Sequence, residues 1–222
     1  MSLPLRQGYQ YLLGTLLALT VLYPLQDEFE GGRLTLGIIL TVVMVTAVVS
    51  VARKRYQFIV SLLLAIAFIA MRNAAMPDNT GGVAIAGALA GSLFFFYVGV
   101  ILLFSIFEKR DRVDPDLIYG AISVYLLVGF AFAYLCLSLE TAGPGAFANI
   151  LDRTGESNDM LPGFVYYSFV TLTTLGFGDV VPVTRPGEVL AYVEAIAGQL
   201  YLTVLVARLV GIHLSQQNSS GN

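Results

Sequence analysis

Charged residues are clustered along the chain, and six long stretches between the clusters contain none. The stretches are 16 to 29 residues long and mostly apolar. A bilayer core about 30 Å thick is crossed by about 20 residues of apolar helix. The pattern therefore predicts a membrane protein with several spanning helices. The charge-free stretches are residues 7–26, 34–52, 56–71, 79–107, 117–139 and 160–178.

The last stretch, 160–178, does not fit a spanning helix. If it crossed the membrane, the helix that follows would run in the wrong direction and Arg208 would lie outside. Pro162 is well placed to open a helix. We therefore predict a re-entrant hairpin, in which a short helix from Pro162 is followed by an extended return leg, residues 174–179, that is buried in protein or lines an aqueous path. The predicted spans are residues 8–25, 34–52, 56–72, 83–107, 117–139 and 188–213.

The composition supports a membrane protein and excludes several other classes. Apolar residues make up 57% of the 222 positions, more than a soluble domain of this size can bury. The net charge of −3 argues against nucleic-acid binding. Cys136 is the only cysteine and His213 the only histidine, which removes disulfide frameworks and most zinc or hydrolytic chemistry. We expect a protein that is not an enzyme and needs no cofactor.

The distribution of charge predicts the orientation. With the N-terminus in the cytoplasm, eight of the 12 basic residues fall inside and four outside. Most acidic residues fall outside, so both biases predict a multi-pass plasma-membrane protein with cytoplasmic N- and C-termini. The groups Arg53-Lys54-Arg55 and Lys109, Arg110 and Arg112 are candidates for contact with anionic lipid head groups. The alternative is that they only set the topology.

The return leg offers oxygen ligands without formal charge. Thr174 provides a hydroxyl and a carbonyl, and the next four residues provide carbonyls. Gly176 and Gly178 adopt positive φ without a Cβ penalty, which lets successive carbonyls turn to one side. Such a ladder suits an alkali cation better than a divalent ion, and the C-terminal end of the preceding helix adds negative potential. One chain supplies one side only, so a closed cage implies a symmetric ring, most simply of four copies.

The segment Thr174-Leu175-Gly176-Phe177-Gly178-Asp179 resembles the pattern Thr-Val-Gly-Tyr-Gly-Asp in the pore loop of potassium channels. The similarity covers roughly residues 162–213 and includes the stretch from Glu194 to Tyr201 in the last helix. It looks like the bacterial members with six spans and one pore loop. For residues 1–110 the resemblance rests on the number of spans alone.

The resemblance implies an all-α membrane protein with a tetrameric pore. Six transmembrane helices are expected, with a re-entrant pore helix and selectivity filter between helices five and six. Residues 1–110 would form a four-helix transmembrane domain and residues 111–222 the pore domain. The partners would be K⁺ ions, three further copies of the chain and membrane lipids. The filter residues are Thr174, Leu175, Gly176, Phe177 and Gly178, with K⁺ held at the first four.

Two filter positions depart from the family pattern. Phe177 replaces a tyrosine, so the hydroxyl that would tie the filter to its surroundings is absent, and Leu175 replaces a valine. Some channels carry an acid on the pore helix that bonds to the filter aspartate, but this chain has Val170 there. Asp179 then needs another partner. We predict the hydroxyl or ring of Tyr166 or Tyr167 on a neighbouring pore helix.

The last helix contains two further candidates. Glu194 lies within the membrane, where an acid costs several kcal/mol unless it is paired or protonated. We expect it to bond to Ser168 or Thr171 and brace the filter. Gly198 lies where the family keeps a gating hinge, although close packing explains a glycine there equally well. Leu202, Val206 and Val210 follow at helical spacing and line either the cavity or the core.

The fourth predicted helix, 83–107, carries none of the arginines of voltage sensors. We therefore expect a passive potassium-selective channel without conventional voltage gating. The alternatives are a weakly selective monovalent cation channel and a non-conducting pore-like subunit. Residues 214–222 are polar, and a disordered tail is predicted there.

Overall fold

Helices account for nearly all of the structure. The computed structural model describes residues 8–23, 25, 32–52, 54–75, 81–108, 115–150 and 159–220. A single ladder of two short strands accompanies the helices in these described ranges. In chain order the elements are α1 (Gly8–Leu22), α2 (Gly32–Val51), α3 (Arg55–Ala75), α4 (Gly82–Glu108), α5 (Pro115–Ala142), β1 (Phe147–Ala148), α6 (Leu161–Leu172), β2 (Val181–Pro182) and α7 (Arg185–Ser220).

Four of the described helices are long and apolar enough to cross a membrane. This confirms an all-helical membrane architecture. The parts of α1 and α2 that enter this comparison, Tyr9–Leu22 and Gly37–Val51, are apolar but shorter, and so is α6. The count of six spans therefore remains a prediction. The four candidate spans are Arg55–Ala74, Gly82–Glu108, Pro115–Ala142 and Arg185–Ile212.

The last helix is longer than the sequence pattern indicates. It begins at Arg185, three residues before the predicted start at 188, and continues to Ser220. The prediction of a disordered tail is therefore wrong for residues 214–220. The physical reason is that neither glycine nor proline occurs between Ile212 and Ser220, so nothing in that segment ends the helix.

A layer of aromatic rings holds the centre of the structure together. Phe95 of α4 stacks on Phe130 and Tyr134 of α5, with centroid distances of 5.5 and 5.7 Å. Phe68 of α3 meets Tyr134 edge-on at 5.2 Å. The rings approach closely because Gly91 has no side chain: a Cβ there would lie 2.8 Å from Phe68 Cε2. The layer fixes α3 and α4 against α5.

The same helix α5 positions the short helix α6. Phe169 fills a notch at Gly129, where a Cβ would lie 2.7 Å from Phe169 Cε1. Its ring meets Phe130 edge-on at 5.5 Å. Next to it, Ser168 Oγ donates a hydrogen bond of 2.6 Å to the Gly129 carbonyl. α6 is thus fixed in depth and rotation against a candidate span.

A buried acid organises the loop that follows α5. The two carboxylate oxygens of Glu140 accept hydrogen bonds from Gly145 N at 2.7 Å and Phe147 N at 3.0 Å. Glu140 is 5% exposed, and these two hydrogen bonds compensate its carboxylate for the hydration that burial removes. The loop then enters β1, which pairs antiparallel with β2 through Phe147↔Pro182 and Ala148↔Val181. The segment after the return leg is therefore anchored to α5.

Candidate functional site

The site begins with α6, whose 12 residues make it about 18 Å long. Pro162 lies in its first turn, and Asp159 Oδ1 accepts a hydrogen bond of 3.0 Å from Leu161 N. At its other end, Thr173 N donates to the Phe169 carbonyl at 3.1 Å. The helix is too short to cross a bilayer, and its partially negative C-terminal end points toward the return leg. The short helix expected after Pro162 is confirmed.

The return leg leaves α6 through hydrogen bonds to the helix end. The amides of Leu175 and Gly176 both donate to the Val170 carbonyl, at 3.0 and 3.3 Å. From there to residue 180 the chain is neither helix nor strand. The re-entrant placement of this leg in the membrane stays a prediction.

Alternate residues of the return leg have left-handed backbone. The φ angles are 60° at Thr174, 57° at Gly176 and 75° at Gly178. This alternation allows successive carbonyl groups to be directed to the same side. The two glycines were expected to adopt positive φ, but Thr174 was not, because a left-handed threonine costs about 1–2 kcal/mol and leaves no signal in the sequence. Thr174 therefore extends the alternation of positive φ angles by one position toward α6.

Asp179 is held from two sides at the end of the leg. Tyr166 donates a hydrogen bond of 2.8 Å to Asp179 Oδ2, and Asn149 Nδ2 donates to the Asp179 carbonyl at 3.0 Å. This tyrosine belongs to the same chain, and a partner on a neighbouring pore helix stays a prediction. Tyr167 packs its ring edge-on against Phe147 at 5.3 Å instead. Successive helical residues point about 100° apart, so only one of the two tyrosines faces the aspartate of its own chain.

Glu194 of α7 is completely buried and contacts α6. Its Oε1 lies within hydrogen-bond distance of Ser168 Oγ, the hydroxyl whose single proton is donated to the Gly129 carbonyl. Glu194 Oε2 has no hydrogen-bond partner among the described residues. Of the two partners expected for Glu194, Ser168 and Thr171, the structure shows contact with Ser168. Three helices, α5, α6 and α7, therefore meet at one hydroxyl.

One turn further along, α7 contacts the end of α6 and the start of the return leg. A Cβ at Gly198 would collide with the Leu172 carbonyl oxygen and lie 3.0 Å from Leu172 Cδ1. The same carbonyl accepts a hydrogen bond of 3.1 Å from the Tyr125 hydroxyl. Gln199 Nε2 donates to Thr174 Oγ1 at 3.2 Å. Gln199 was not among the expected site residues, although an amide within an apolar helix is a signal for one.

The second half of α7 contacts the C-terminal end of α4. Arg208 Nη2 donates to the carbonyls of Ile106 and Phe107 at 2.7 and 3.0 Å. The guanidinium carbon also lies 4.2 Å from the centre of the Phe107 ring. A cation at the C-terminal carbonyls of a helix is favourable because the helix dipole is negative there. The sequence indicated only the topological role of Arg208.

The comparisons with known proteins match the part of the chain that contains this site. A family model described as "Ion channel" matches residues 120–213, which include α6, the return leg and most of α7. The chain is 32% identical over 110 residues to Protein LctB of Geobacillus stearothermophilus, covering 46% of this chain and 77% of that protein. It is 33% identical over 72 residues to the human Potassium channel subfamily T member 1. The chain belongs to the potassium channel family.

The match to the larger potassium channels is local. The chain spans 6% of the length of the human relative, and 32% of this chain is covered. The Two-pore potassium channel 4 of Arabidopsis thaliana is 33% identical over 87 residues, which is 39% of this chain and 31% of that protein. No solved structure shows a significant match. The potassium channel family is thus assigned through the part of the chain that contains the site.

Proposed function

We propose that this chain is one subunit of a homotetrameric channel that conducts K⁺ passively and selectively. The ions would be held by the carbonyls of Thr174, Leu175, Gly176 and Phe177 and by the Thr174 hydroxyl. The observation that carries the proposal is the alternation of left-handed φ angles at 174, 176 and 178. Carbonyl oxygens in such a ladder replace the hydration shell of an alkali cation.

A ring of four subunits is supported by what a single chain leaves exposed. Only 6% of the apolar window of α7 is buried within the chain. Leu175 and Phe177 are 58% and 64% exposed, although both are apolar. Large apolar surfaces of this kind mark interfaces with protein or membrane. Contact with neighbouring subunits would cover them and close the carbonyl ladder into a cage.

The orientation of α7 supports a cavity below the filter. Gln199 reaches Thr174, so its face of the helix is directed toward the base of the return leg. Residues 206 and 210 follow at 7 and 11 positions, which places them within about 20° of that face. Val206 and Val210 are both more than half exposed in the single chain. Together with Leu202 they would line an apolar inner mouth.

The proposal is tested by reconstituting the purified protein in liposomes and measuring K⁺ flux with and without barium, across pH and voltage. We expect a K⁺ flux that barium blocks. In opposing gradients of K⁺ and Na⁺, a reversal potential near zero would instead support the weakly selective cation channel. Assembled protein that gives no flux under any of these conditions would support the non-conducting subunit.

We further propose that residues 1–110 form a transmembrane domain without a voltage sensor and residues 111–222 the pore domain. α4 contains no lysine or arginine. Moving one charge through 100 mV supplies about 2.3 kcal/mol, and steep gating needs several charges per subunit. We expect open probability to change little over a range of about 200 mV in planar bilayers. A steep curve that shifts with substitutions in α1 to α4 would contradict this.

Glu194 is proposed as a brace for the filter because it links α7 to α6 through Ser168. Glutamine at this position keeps a polar group against Ser168 Oγ, whereas alanine removes this link between α7 and α6 and leaves a void beside Ser168. We expect Glu194→Gln to retain K⁺ over Na⁺ selectivity and Glu194→Ala to lower it, with a stability loss of about 2–4 kcal/mol in the alanine variant. Reversal potentials and thermal unfolding of both variants check this. Equal behaviour of the two would count against the brace.

We also propose a cellular location and lipid partners for this chain. The excess of basic residues on one side supports a plasma-membrane protein with both termini in the cytoplasm. Anionic lipids are proposed partners at that side, since each basic residue near the surface contributes about 1 kcal/mol of attraction.

A further inference from the structure

A polar amide lies near the middle of the apolar span of α7. Gln199 is 14 residues after Arg185 and 13 before Ile212, the two ends of that candidate span, and it is the one carboxamide in the sequence between them. A carboxamide at such a depth is costly unless it has a hydrogen-bond partner or faces water. Its partner is Thr174, to whose Oγ1 the Gln199 Nε2 donates at 3.2 Å. The amide is therefore directed at the α6 end of the proposed filter.

Close packing fixes the depth of Gln199. The residue before it, Gly198, leaves no room for a Cβ because the Leu172 carbonyl oxygen occupies that place. The same oxygen accepts a hydrogen bond of 3.1 Å from the Tyr125 hydroxyl of α5. Three helices, α5, α6 and α7, are thus in register one residue away from Gln199. The amide reaches Thr174 from a position that the packing determines.

Thr174 has a backbone conformation that needs support from its surroundings. Its φ is 60°, which is an outlier for a β-branched residue. Such a conformation persists only where the surrounding contacts fix it. The Thr174 amide donates to the Thr171 carbonyl at 2.9 Å, and this bond holds the main chain. The Gln199 amide occupies one of the two lone pairs of the Thr174 hydroxyl oxygen, so the side chain is held from α7.

We propose that Gln199 is a positioning residue that sets the K⁺ affinity of the α6 end of the filter. The inference rests on the proposed function, in which the hydroxyl and the carbonyl of Thr174 both hold K⁺. With one lone pair of the hydroxyl oxygen bound to Gln199, the other is left for the ion. In a ring of four subunits, four such hydroxyl oxygens would be ordered before the ion arrives.

Loss of this ordering should weaken ion binding. A side chain that is free to rotate must be fixed when the ion binds, and that ordering reduces the affinity. A net contribution of about 1 kcal/mol from one neutral hydrogen bond corresponds to about a fivefold change in an equilibrium constant. A purely structural link between α7 and the return leg would instead change the stability of the protein and leave its K⁺ affinity unchanged.

The test measures the melting temperature of the purified, assembled full chain in detergent while K⁺ replaces choline at constant ionic strength. An ion that binds the folded protein raises the melting temperature as its concentration increases relative to its dissociation constant. Gln199→Met keeps a long unbranched side chain and removes the donor. We expect the K⁺ concentration that gives half of the stabilisation to rise about fivefold in this variant.

Two further variants make the comparison specific. Gln199→Asn keeps the amide on a side chain one methylene shorter, which withdraws it from Thr174, so it should behave like Gln199→Met. The matched control is Thr203→Val, one turn further along the same helix. The Thr203 hydroxyl donates to the main-chain carbonyl of Gln199 at 2.8 Å and is exposed. Thr203→Val should keep the K⁺ dependence of the parent protein. Gel filtration first shows that each variant assembles, and because Gln199 is itself exposed its replacement leaves no void in the core.

The outcomes separate this inference from the proposed function. If K⁺ stabilises the parent protein and Gln199→Met and Gln199→Asn keep its half-saturating concentration, the inference is overturned and the proposed function stands. A melting temperature that is lower at every K⁺ concentration, with the same half-saturation, would overturn it too, because Gln199 would then only hold α7 in place. A parent protein that shows neither stabilisation by K⁺ nor K⁺ flux would overturn the proposed function, and the inference with it.

Discussion

Replacing Gly176 by alanine is expected to abolish selective K⁺ conduction. Gly176 has a φ of 57°, a left-handed conformation that costs an L-residue with a Cβ about 1–2 kcal/mol. Space is not the obstacle, since a Cβ built at this position meets nothing within 4 Å in the single chain. In a tetramer the cost arises four times, about 4–8 kcal/mol in all, and it acts on the carbonyls that would hold the ions. The proposed filter would then lose its alternating backbone.

The matched control is Gly145→Ala. Gly145 also has positive φ, 88°, and open space around its Cα, but it lies in the loop before β1 and outside the return leg. Gly145→Ala should therefore have the same free-energy cost in the backbone without changing the ion pathway. The measurement is the flux of K⁺ and Na⁺ into liposomes, after gel filtration has shown that both variants assemble like the parent protein. Unchanged selectivity in Gly176→Ala would exclude residues 174–178 as the filter.

Local chemistry explains which parts of this structure the sequence could predict. Charge-free stretches predict helices because a bilayer excludes unpaired charge and backbone polar groups alike. The short helix and the leg were predictable because Pro162 favours a helix start and Gly176 and Gly178 permit positive φ. The buried acid Glu194 was predictable as a paired group because an isolated one is too costly. Each of these signals resides in one residue or one short segment.

Contacts between distant segments could not be predicted in the same way. Asn149 reaches Asp179 across 30 positions, and Arg208 reaches Ile106 across 102. Such pairs depend on how helices pack, and packing leaves no periodic signal in one sequence. The left-handed backbone of Thr174 could not be predicted, because nothing in a threonine side chain requires a positive φ. The contact of Asp179 with a tyrosine of its own chain could not be predicted for the same reason: the rotation of α6 was unknown until Phe169 was placed in the notch at Gly129.

Gly198→Ala is expected to destabilise the assembled protein strongly, and it separates two explanations of this glycine. The added Cβ would collide with the backbone oxygen of Leu172, which cannot rotate away as a side chain does. That oxygen also accepts the hydroxyl of Tyr125, so a shift would break a hydrogen bond at the end of α6. Overpacking of this kind costs about 1–3 kcal/mol in each subunit. We expect a lower melting temperature and reduced K⁺ flux.

Gly211→Ala is the control within the same helix, because a Cβ at Gly211 meets nothing within 4 Å. Alanine is the better helix former by about 1 kcal/mol, so this variant should be as stable as the parent or slightly more stable. Thermal unfolding followed by gel filtration gives the comparison. If Gly198 acts only as a gating hinge, Gly198→Ala will instead melt like Gly211→Ala and change open probability alone. Close packing against Leu172 predicts a stability loss that appears even when no ion flows.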